Sequence, residues 1–182
     1  QDLFIGLDAG KGILVGSAPG NPERDIRTYD LSPTGSLVLG MPGASTYTVD
    51  GQGVYNNSFT ASSATAFAAS AAAGAPNPAL LEAANPELVK PEQVTSFEAG
   101  YRGKLNTVVV DLSAYYNSYK DFISTEDVAS PFYGDVQLTQ TMPTPNGVLP
   151  VAVVALGAGD FGKYQAYTNS DADVSSYGAA LG

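Results

Sequence analysis

Two successive stretches in the second half of the chain alternate apolar and polar side chains, and this pattern constrains the fold more than any other feature. In 94–105 and in 107–123, residues of one parity are mostly apolar and those of the other parity are mostly polar. Such alternation places the two classes on opposite faces of a β-strand. A tight connection at Gly103 to Asn106 joins the two stretches, which predicts an antiparallel hairpin.

The apolar face of the second stretch has the length of a membrane strand. Its members are Val108, Val110, Leu112, Ala114 and Tyr116. A tilted β-strand crosses a bilayer with ~9–11 residues, and this face fits that length. A soluble antiparallel sheet with one wet face shows the same alternation. The pattern therefore leaves two folds open, a transmembrane β-barrel and a soluble β-rich module.

The composition excludes several classes of function. The chain of 182 residues contains no Cys and no His, and its 18 acidic and 8 basic side chains leave a formal net charge of −10. Without Cys or His it has no thiol nucleophile, disulfide, zinc site or His-based catalytic triad. The acidic excess argues against a nucleic-acid partner, because phosphates are bound mainly by Lys and Arg.

The carboxylates of the predicted strands have a structural interpretation. Glu98, Asp111 and Asp121 fall on the polar side, where Arg102 and Lys104 can pair with them. Acid–base catalysis would need a geometry that this pattern does not indicate. The glycine turn at 10–12 lacks the spacing and the Ser or Thr of a phosphate-binding loop. We therefore predict no enzyme activity, no catalytic residue and no cofactor.

The segment after residue 168 raises the question of a metal site. Asn169, Asp171 and Asp173 alternate like the first ligands of a calcium loop, but Val174 holds the glycine position and Ala180 the position of the closing glutamate. We predict no metal here and interpret the segment as a solvated β-bulge. A bulge also explains why the side chains of one face move from even to odd positions across this segment. Before it they are Tyr164, Ala166 and Thr168, and after it they are Tyr177, Ala179 and Leu181.

Two long regions rich in turn formers flank the predicted hairpin. The first contains short strand candidates at Leu3–Leu7, Ile13–Val15, Ser36–Leu39 and Tyr47–Val49. It continues into an alanine-rich helix over 59–73, and Asn77-Pro78 predicts a second short helix ending near Ala84. The second region, 124–161, shows few periodic cues. We predict four segments: an extracellular loop region over 1–84 with short strands and Ala-rich helices, a hairpin over 85–123, a long loop over 124–161 and a strand over 162–182.

Three motifs follow one another in 85–103: Asn85-Pro86, Lys90-Pro91-Glu92 and Glu98-Ala99-Gly100-Tyr101. In this order they resemble a segment of TonB-dependent outer-membrane receptors. The sequence DLSAYYNSYKDFI at 111–123 is similar to the next strand of that family. YQAYTN at 164–169, followed by SYG at 176–178, is similar to the strand after it.

The resemblance implies an all-β fold, in which antiparallel strands belong to a large transmembrane β-barrel with long extracellular loops carrying short helices. It places Lys90-Pro91-Glu92 near the outer rim and Gly103 to Asn106 in a periplasmic turn. Because eight strands are about the minimum for a closed barrel, we expect an internal piece of a larger barrel. The family's plug domain and TonB-contacting segment are not recognised in these residues.

The resemblance also implies a function, namely binding a scarce extracellular nutrient and importing it into the periplasm. The ligands of such receptors include siderophores, cobalamin, glycans and peptides. The implied partners are lipid of the cell outer membrane, the remainder of the same barrel or a partner chain, the TonB energy-coupling complex and a surface lipoprotein. A soluble extracellular β-rich binding or adhesion module is the alternative, and a passive porin-type barrel is a third interpretation.

Tyrosines are the candidate ligand contacts. Tyr115 and Tyr119 fall on the polar face of their strand, where they can stack on a ligand entering the lumen. Tyr55 and Tyr133 lie in the long loops, where binding residues concentrate. Tyr101, Tyr116 and Tyr164 fall on apolar faces and are interpreted as an aromatic girdle. Packing within the protein is the competing interpretation of all of them.

Overall fold

The structure is a computed structural model that describes residues 13–15, 22–170 and 172–182. The predicted strand Leu3–Leu7 and the glycine turn at 10–12 lie outside the described residues. The chain divides into two compact units: the first comprises residues up to Leu88 together with Thr125–Thr168, and the second comprises Val89–Ser124 and Asn169–Gly182. Among the helices of the described residues, none combines the length and the hydrophobicity that a membrane-spanning helix requires.

Strands provide most of the regular structure in both units. In chain order they are β1 (Ile13–Val15), β2 (Ile26–Asp30), β3 (Thr46–Asp50), β4 (Phe59–Thr60), β5 (Gln93–Leu105), β6 (Val108–Lys120), β7 (Ile123–Pro131), β8 (Thr141–Thr144), β9 (Gly147–Pro150), β10 (Phe161–Asn169) and β11 (Val174–Leu181). The α-helices are α1 (Pro33–Val38), α2 (Gly51–Asn56), α3 (Ala61–Ala72) and α4 (Val151–Ala158). Short 3-10 helices cover Pro22–Arg24 and Pro78–Leu80.

The second unit is built on a three-stranded antiparallel sheet in the order β11-β6-β5. The predicted hairpin is present: β5 and β6 pair continuously from Gln93 opposite Lys120 to Leu105 opposite Val108. The two residues between the strands form the turn, and Asn106 adopts a positive φ of 55°. Asparagine tolerates this left-handed conformation better than most residues, which suits a two-residue hairpin loop.

The first unit contains a four-stranded sheet in the order β1-β10-β7-β4 and two separate two-stranded sheets, β2–β3 and β8–β9. β1 runs parallel to β10, and β4 runs antiparallel to β7. Three buried clusters fill the space around these elements. Aromatic rings join two of the clusters, since Phe132 stacks on Tyr29 and Tyr47 with ring centroids 5.0 and 5.7 Å apart.

The strand predicted at Ser36–Leu39 is wrong, because this segment belongs to helix α1. Ser32 caps the helix by accepting a hydrogen bond from the Gly35 N–H at 3.0 Å, and Pro33 occupies the first helical position. Serine followed by proline is a known helix start, and the cap outweighs the β preference of the short Leu-Val-Leu run. The strand predicted at Tyr47–Val49 is confirmed as part of β3.

The alanine-rich helix is present as α3, whereas the helix predicted after Asn77-Pro78 ends early. Asn77 caps it by accepting from the Ala79 N–H at 3.1 Å, but the 3-10 turn stops at Leu80. The next residues are extended because they bond to the chain near β4, with Ala84 N–H donating to the Ser58 carbonyl at 2.8 Å. Tertiary pairing therefore replaces the second half of the predicted helix.

Residues 124–161 contain more structure than their irregular sequence predicts. They include most of β7, the β8–β9 hairpin and helix α4, which ends at Gly159 with a positive φ of 80°. The predicted β-bulge between Asn169 and Tyr177 is also wrong. The parity changes there because β10 and β11 are separate strands that belong to different sheets.

Candidate functional site

One face of the β11-β6-β5 sheet is an uninterrupted apolar surface. The register aligns its side chains in rows across the three strands: Phe97, Tyr116 and Tyr177; Ala99, Ala114 and Ala179; Tyr101, Leu112 and Leu181. Most of the large side chains are exposed, with Tyr177 at 81% and Leu181 at 77% of their full accessible area. An exposed apolar face of this extent marks a surface that contacts a membrane or another protein.

The dimensions of this face match a bilayer. Along β6 it runs from Val108 to Tyr116, which is close to the ~9–11 residues with which a tilted strand crosses a bilayer. The apolar band of outer-membrane barrels is ~25 Å tall and is bordered by aromatic residues. Here the aromatic row of Phe97, Tyr116 and Tyr177 is followed by the hydroxyl row of Thr95, Ser118 and Ser175. The apolar face therefore ends at an aromatic border, as a lipid-facing band does.

The opposite face of the same sheet is polar. Asn117 on the central strand β6 bonds to both neighbouring strands, with Asn117 Oδ1 2.6 Å from Ser96 Oγ and its Nδ2 3.3 Å from Ser176 Oγ. Arg102 pairs with Asp111 at 3.3 Å, as the sequence predicted. Both side chains of this pair are at least half exposed, so the pair contributes little to stability. It neutralises charge on a surface that water can reach.

Tyr115 and Tyr119 both lie on this polar face, four residues apart on β6. Tyr115 stands in one row with Glu98 and Gly178. Its ring covers Gly178 so closely that a Cβ at this glycine would lie 2.6 Å from the ring. Tyr115 is 47% exposed, and Tyr119 is half-buried. The structure thus brings two of the four candidate tyrosines together on one face.

Tyr55 is placed in the core of the first unit. It is 4% exposed, and its hydroxyl donates to the Tyr167 carbonyl at 2.7 Å. Burial raises the pKa of Tyr55 to about 12, because the charged phenolate would lose its hydration. This hydroxyl joins α2 to β10, which is a packing role.

Tyr133 is also buried in the first unit, where its hydroxyl donates to Asp160 Oδ2 at 2.8 Å. Asp160 is 1% exposed and accepts two more hydrogen bonds, from the Ser32 N–H at 2.7 Å and the Ser32 hydroxyl at 2.6 Å. Burial, and then the neighbouring Asp160 carboxylate, raise the pKa of Tyr133 above its ordinary value. Gly35 packs so closely that any Cβ there would collide with Asp160 and Tyr133. These contacts form a buried hydrogen-bond network around the Asp160 carboxylate.

The structure corrects the interpretation of Tyr164 as a girdle residue. It lies on β10, which pairs in the four-stranded sheet of the first unit and not with β6. Its side chain is 2% exposed and packs edge-on against Tyr29 at a centroid distance of 6.3 Å. The sequence could not reveal this, because alternation describes the two faces of a strand but not the neighbour with which the strand pairs.

The calcium-like alternation after residue 168 does not form a described site. The Asn169 side-chain amide is engaged with backbone groups of Lys90 and Asp121, and Asp171 lies outside the described residues. In the described ranges, no group of three or more acidic side chains is arranged to hold a metal ion.

A sheet with one exposed apolar face of bilayer dimensions and one polar face defines a wall of a transmembrane β-barrel. The family model described as "TonB dependent receptor-like, beta-barrel" matches residues 22–182. The chain belongs to this family, and its antiparallel strands are part of a large transmembrane β-barrel. Such receptors are transporters and not enzymes. No curated protein and no solved structure matches the chain.

Proposed function

We propose that this chain is part of a TonB-dependent outer-membrane transporter that binds a scarce nutrient outside the cell and imports it into the periplasm. The observation that carries the proposal is the two-faced β11-β6-β5 sheet, within a chain whose family is that of TonB-dependent receptors. Lipid of the outer membrane covers the apolar face, and the polar face lines a wet lumen. Regions 1–84 and 124–161 then become extracellular loop regions, and the hairpin over 85–123 supplies two barrel strands. Within 162–182 the barrel strand is β11, because β10 belongs to the sheet of the first unit.

The free edges of this sheet support further pairing. Among the described residues, neither β5 nor β11 has a partner on its outer side. Unpaired backbone groups are costly inside a membrane, so each edge pairs with a strand from the remainder of the barrel or from a partner chain. Energy comes from the TonB complex of the inner membrane, and a surface lipoprotein is a further partner of the extracellular side.

Tyr115 and Tyr119 are the side chains we propose for direct ligand contact in the lumen. Both lie on the polar face, and aromatic rings offer a large contact area at low entropic cost. Tyr55 and Tyr133 act differently in this proposal, because their hydroxyls are already bonded inside the first unit. They hold the shape of the extracellular loops that meet the ligand.

The charge distribution indicates which ligands the loops attract. The described residues of the first unit carry ten acidic and three basic side chains, a formal charge of −7. A field of this sign steers cations inward and repels polyanions. We therefore propose a neutral or cationic nutrient.

Growth on limiting nutrients tests the function. Cells with and without the gene are grown with a siderophore–iron complex, cobalamin, a glycan or a peptide as the limiting source, and each strain is compared with a tonB deletion. We expect the gene to support growth on one class of nutrient only when TonB is present. Growth that persists without TonB would indicate a porin instead, and a protein that is monomeric in plain buffer would indicate the soluble module.

A further inference from the structure

Helix α3 borders a cavity of about 820 Å³ within the first unit. The helix contributes Ala61, Ala64, Ala68 and Ala71, which recur every three or four residues and therefore share one face. We call these four residues the alanine stripe. The other walls come from β7, β10 and the end of α4, through residues such as Val128, Leu156 and Phe161. The volume falls in the range of small-molecule sites, ~300–1,000 Å³.

The cavity persists because α3 is anchored by a different face. Ser63 Oγ donates to the Thr60 carbonyl at 2.9 Å and accepts from the Glu82 N–H at 3.1 Å. Ser70 Oγ accepts from the Asn77 N–H at 3.0 Å. These bonds hold the helix at both ends, while the methyl groups of the alanine stripe are too short to fill the space in front of them.

A buried phenol in the cavity wall lacks a hydrogen-bond partner. Tyr164 lines the cavity, is 2% exposed, and its Oη makes no hydrogen bond of acceptable geometry. Its ring lies across Gly162, another lining residue, so that a Cβ there would meet the ring. Tyr29 also lines the cavity, and its buried hydroxyl lies close to that of Tyr164, although the two do not form a hydrogen bond of acceptable geometry. Buried polar groups are normally satisfied, and one hydrogen bond between two hydroxyls uses only one of their two protons, so the pair still has a proton to donate to a bound molecule.

Charged side chains lie at the edge of the cavity. Asp127 and Lys163 line it from neighbouring strands, β7 and β10, and both are exposed. The lining is otherwise mostly apolar. A molecule that fits this arrangement has an apolar body and at least one group capable of hydrogen bonding.

We propose that this cavity binds an amphipathic small molecule, whose aromatic or short alkyl group lies along the alanine stripe and whose polar group bonds to the Tyr164 hydroxyl. The inference rests on the proposed import function, because it assigns the chemical class of the cargo. Tyr29 supplies a second hydroxyl, and the acidic surroundings exclude cargo with several negative charges.

The test uses two aromatic probes and the receptor purified in detergent. 4-Fluorophenol carries a hydroxyl, fluorobenzene lacks it, and binding is followed by fluorine NMR. Micelle uptake is linear in probe concentration and common to all variants, whereas binding to the cavity saturates. The filling variant is Ala64→Leu on the alanine stripe, and its matched control is Ala66→Leu on an exposed part of the same helix.

We expect Ala64→Leu to weaken 4-fluorophenol binding by about tenfold or more, because leucine occupies the ligand's space. Ala66→Leu should bind as the wild type does. Tyr164→Phe should weaken 4-fluorophenol by about five- to tenfold and leave fluorobenzene unchanged, since only the former loses a hydrogen bond. Thermal unfolding checks that each variant folds, and Ala68→Leu replaces Ala64→Leu if the latter does not.

Linear uptake of 4-fluorophenol by the wild type, or equal saturable binding by Ala64→Leu and Ala66→Leu, would overturn the inference. The import function can fail separately, because it is measured as TonB-dependent growth of cells. Saturable binding that Ala64→Leu abolishes would stand as support for the cavity even if growth proved independent of TonB.

Discussion

The side-chain amide of Asn169 binds the backbone of Lys90 reciprocally. Asn169 Oδ1 accepts from the Lys90 N–H at 2.6 Å, and Asn169 Nδ2 donates to the Lys90 carbonyl at 2.9 Å and to the Asp121 carbonyl at 2.5 Å. Two residues further on, Glu92 Oε1 accepts from the Ile123 N–H at 2.8 Å. The Lys90-Pro91-Glu92 motif thus ties together the chain segments that border one end of the β11-β6-β5 sheet.

Loss of the hydrogen bonds made by the Asn169 side chain should destabilise the second unit. Replacing Asn169 by Ala removes three hydrogen bonds that its side chain makes with backbone groups of Lys90 and Asp121. We expect the free energy of unfolding to fall by about 2 kcal/mol, measured by urea titration of the receptor in phospholipid vesicles. Asn146→Ala is the control, because at that turn the backbone N–H, not the side chain, bonds to Thr144. Equal effects of the two substitutions would show that the side-chain hydrogen bonds of Asn169 do not stabilise the second unit.

The two faces of β6 can be tested with adjacent residues. Ala114 lies on the apolar face next to its middle row at Leu112, and Ser113 lies on the polar face between Gly100 and Ala180. Arginine on a lipid-facing position near the bilayer midplane costs ~2–4 kcal/mol, whereas a lumen position tolerates it. We expect Ala114→Arg to reduce folding into vesicles by this amount and Ser113→Arg to change it little. The reverse order of effects would contradict the assignment of lipid to the apolar face.

Stability of the first unit should fall at alkaline pH. Burial raises the pKa of Tyr55 from its ordinary value of 10.0 to about 12. A raised pKa means that the folded state favours the neutral phenol, so this stabilisation is complete below pH 10 and is lost as the pH rises toward 12. We expect the free energy of unfolding to decrease across this interval, as followed by near-ultraviolet circular dichroism.

The matching variant for this titration is Tyr55→Phe. It removes one ionisable group and the hydrogen bond to the Tyr167 carbonyl, which costs about 1 kcal/mol at neutral pH. In this variant the free energy of unfolding should fall less at alkaline pH than in the wild type. It should still fall, because Tyr133 and Tyr164 also have raised pKa values. An unchanged pH dependence would mean that Tyr55 ionises as readily in the folded as in the unfolded chain.

Two glycines with nearly equal φ should differ in their tolerance of alanine. Gly134 has φ +83° and Gly43 has φ +85°, so the conformational strain of a substitution is about the same, ~1 kcal/mol. At Gly134 a Cβ would also collide with the backbone of α4 at Ala152, whereas nothing lies within 4 Å at Gly43. We expect Gly134→Ala to cost about 1–3 kcal/mol more than Gly43→Ala in thermal unfolding. Equal costs would show that α4 can move away.

Much of the second unit follows from local pattern. Alternation along β5 and β6 depends only on residues two apart, and the turn at Asn106 sets the register of the whole hairpin. The division into an apolar and a polar face is therefore already present in the order of residues. The motifs at 85–103 point to the family for the same reason, since they lie in one continuous segment.

The structure of the first unit depends on contacts between residues that are far apart in the chain. The apolar run of α4 is compatible with strand or helix, and Tyr164 is compatible with a lipid-facing or a buried strand. Which alternative forms is decided by what packs against it. Strand β10 lies between β1 and β7, and Asp160 accepts hydrogen bonds from Tyr133 and Ser32, which are 27 and 128 residues away in the sequence. The amino-acid sequence by itself determined the two faces of the barrel strands, because a strand's alternation is local. Only the tertiary structure decided which tyrosines are buried and where a cavity remains, because burial depends on neighbours that the local pattern does not specify.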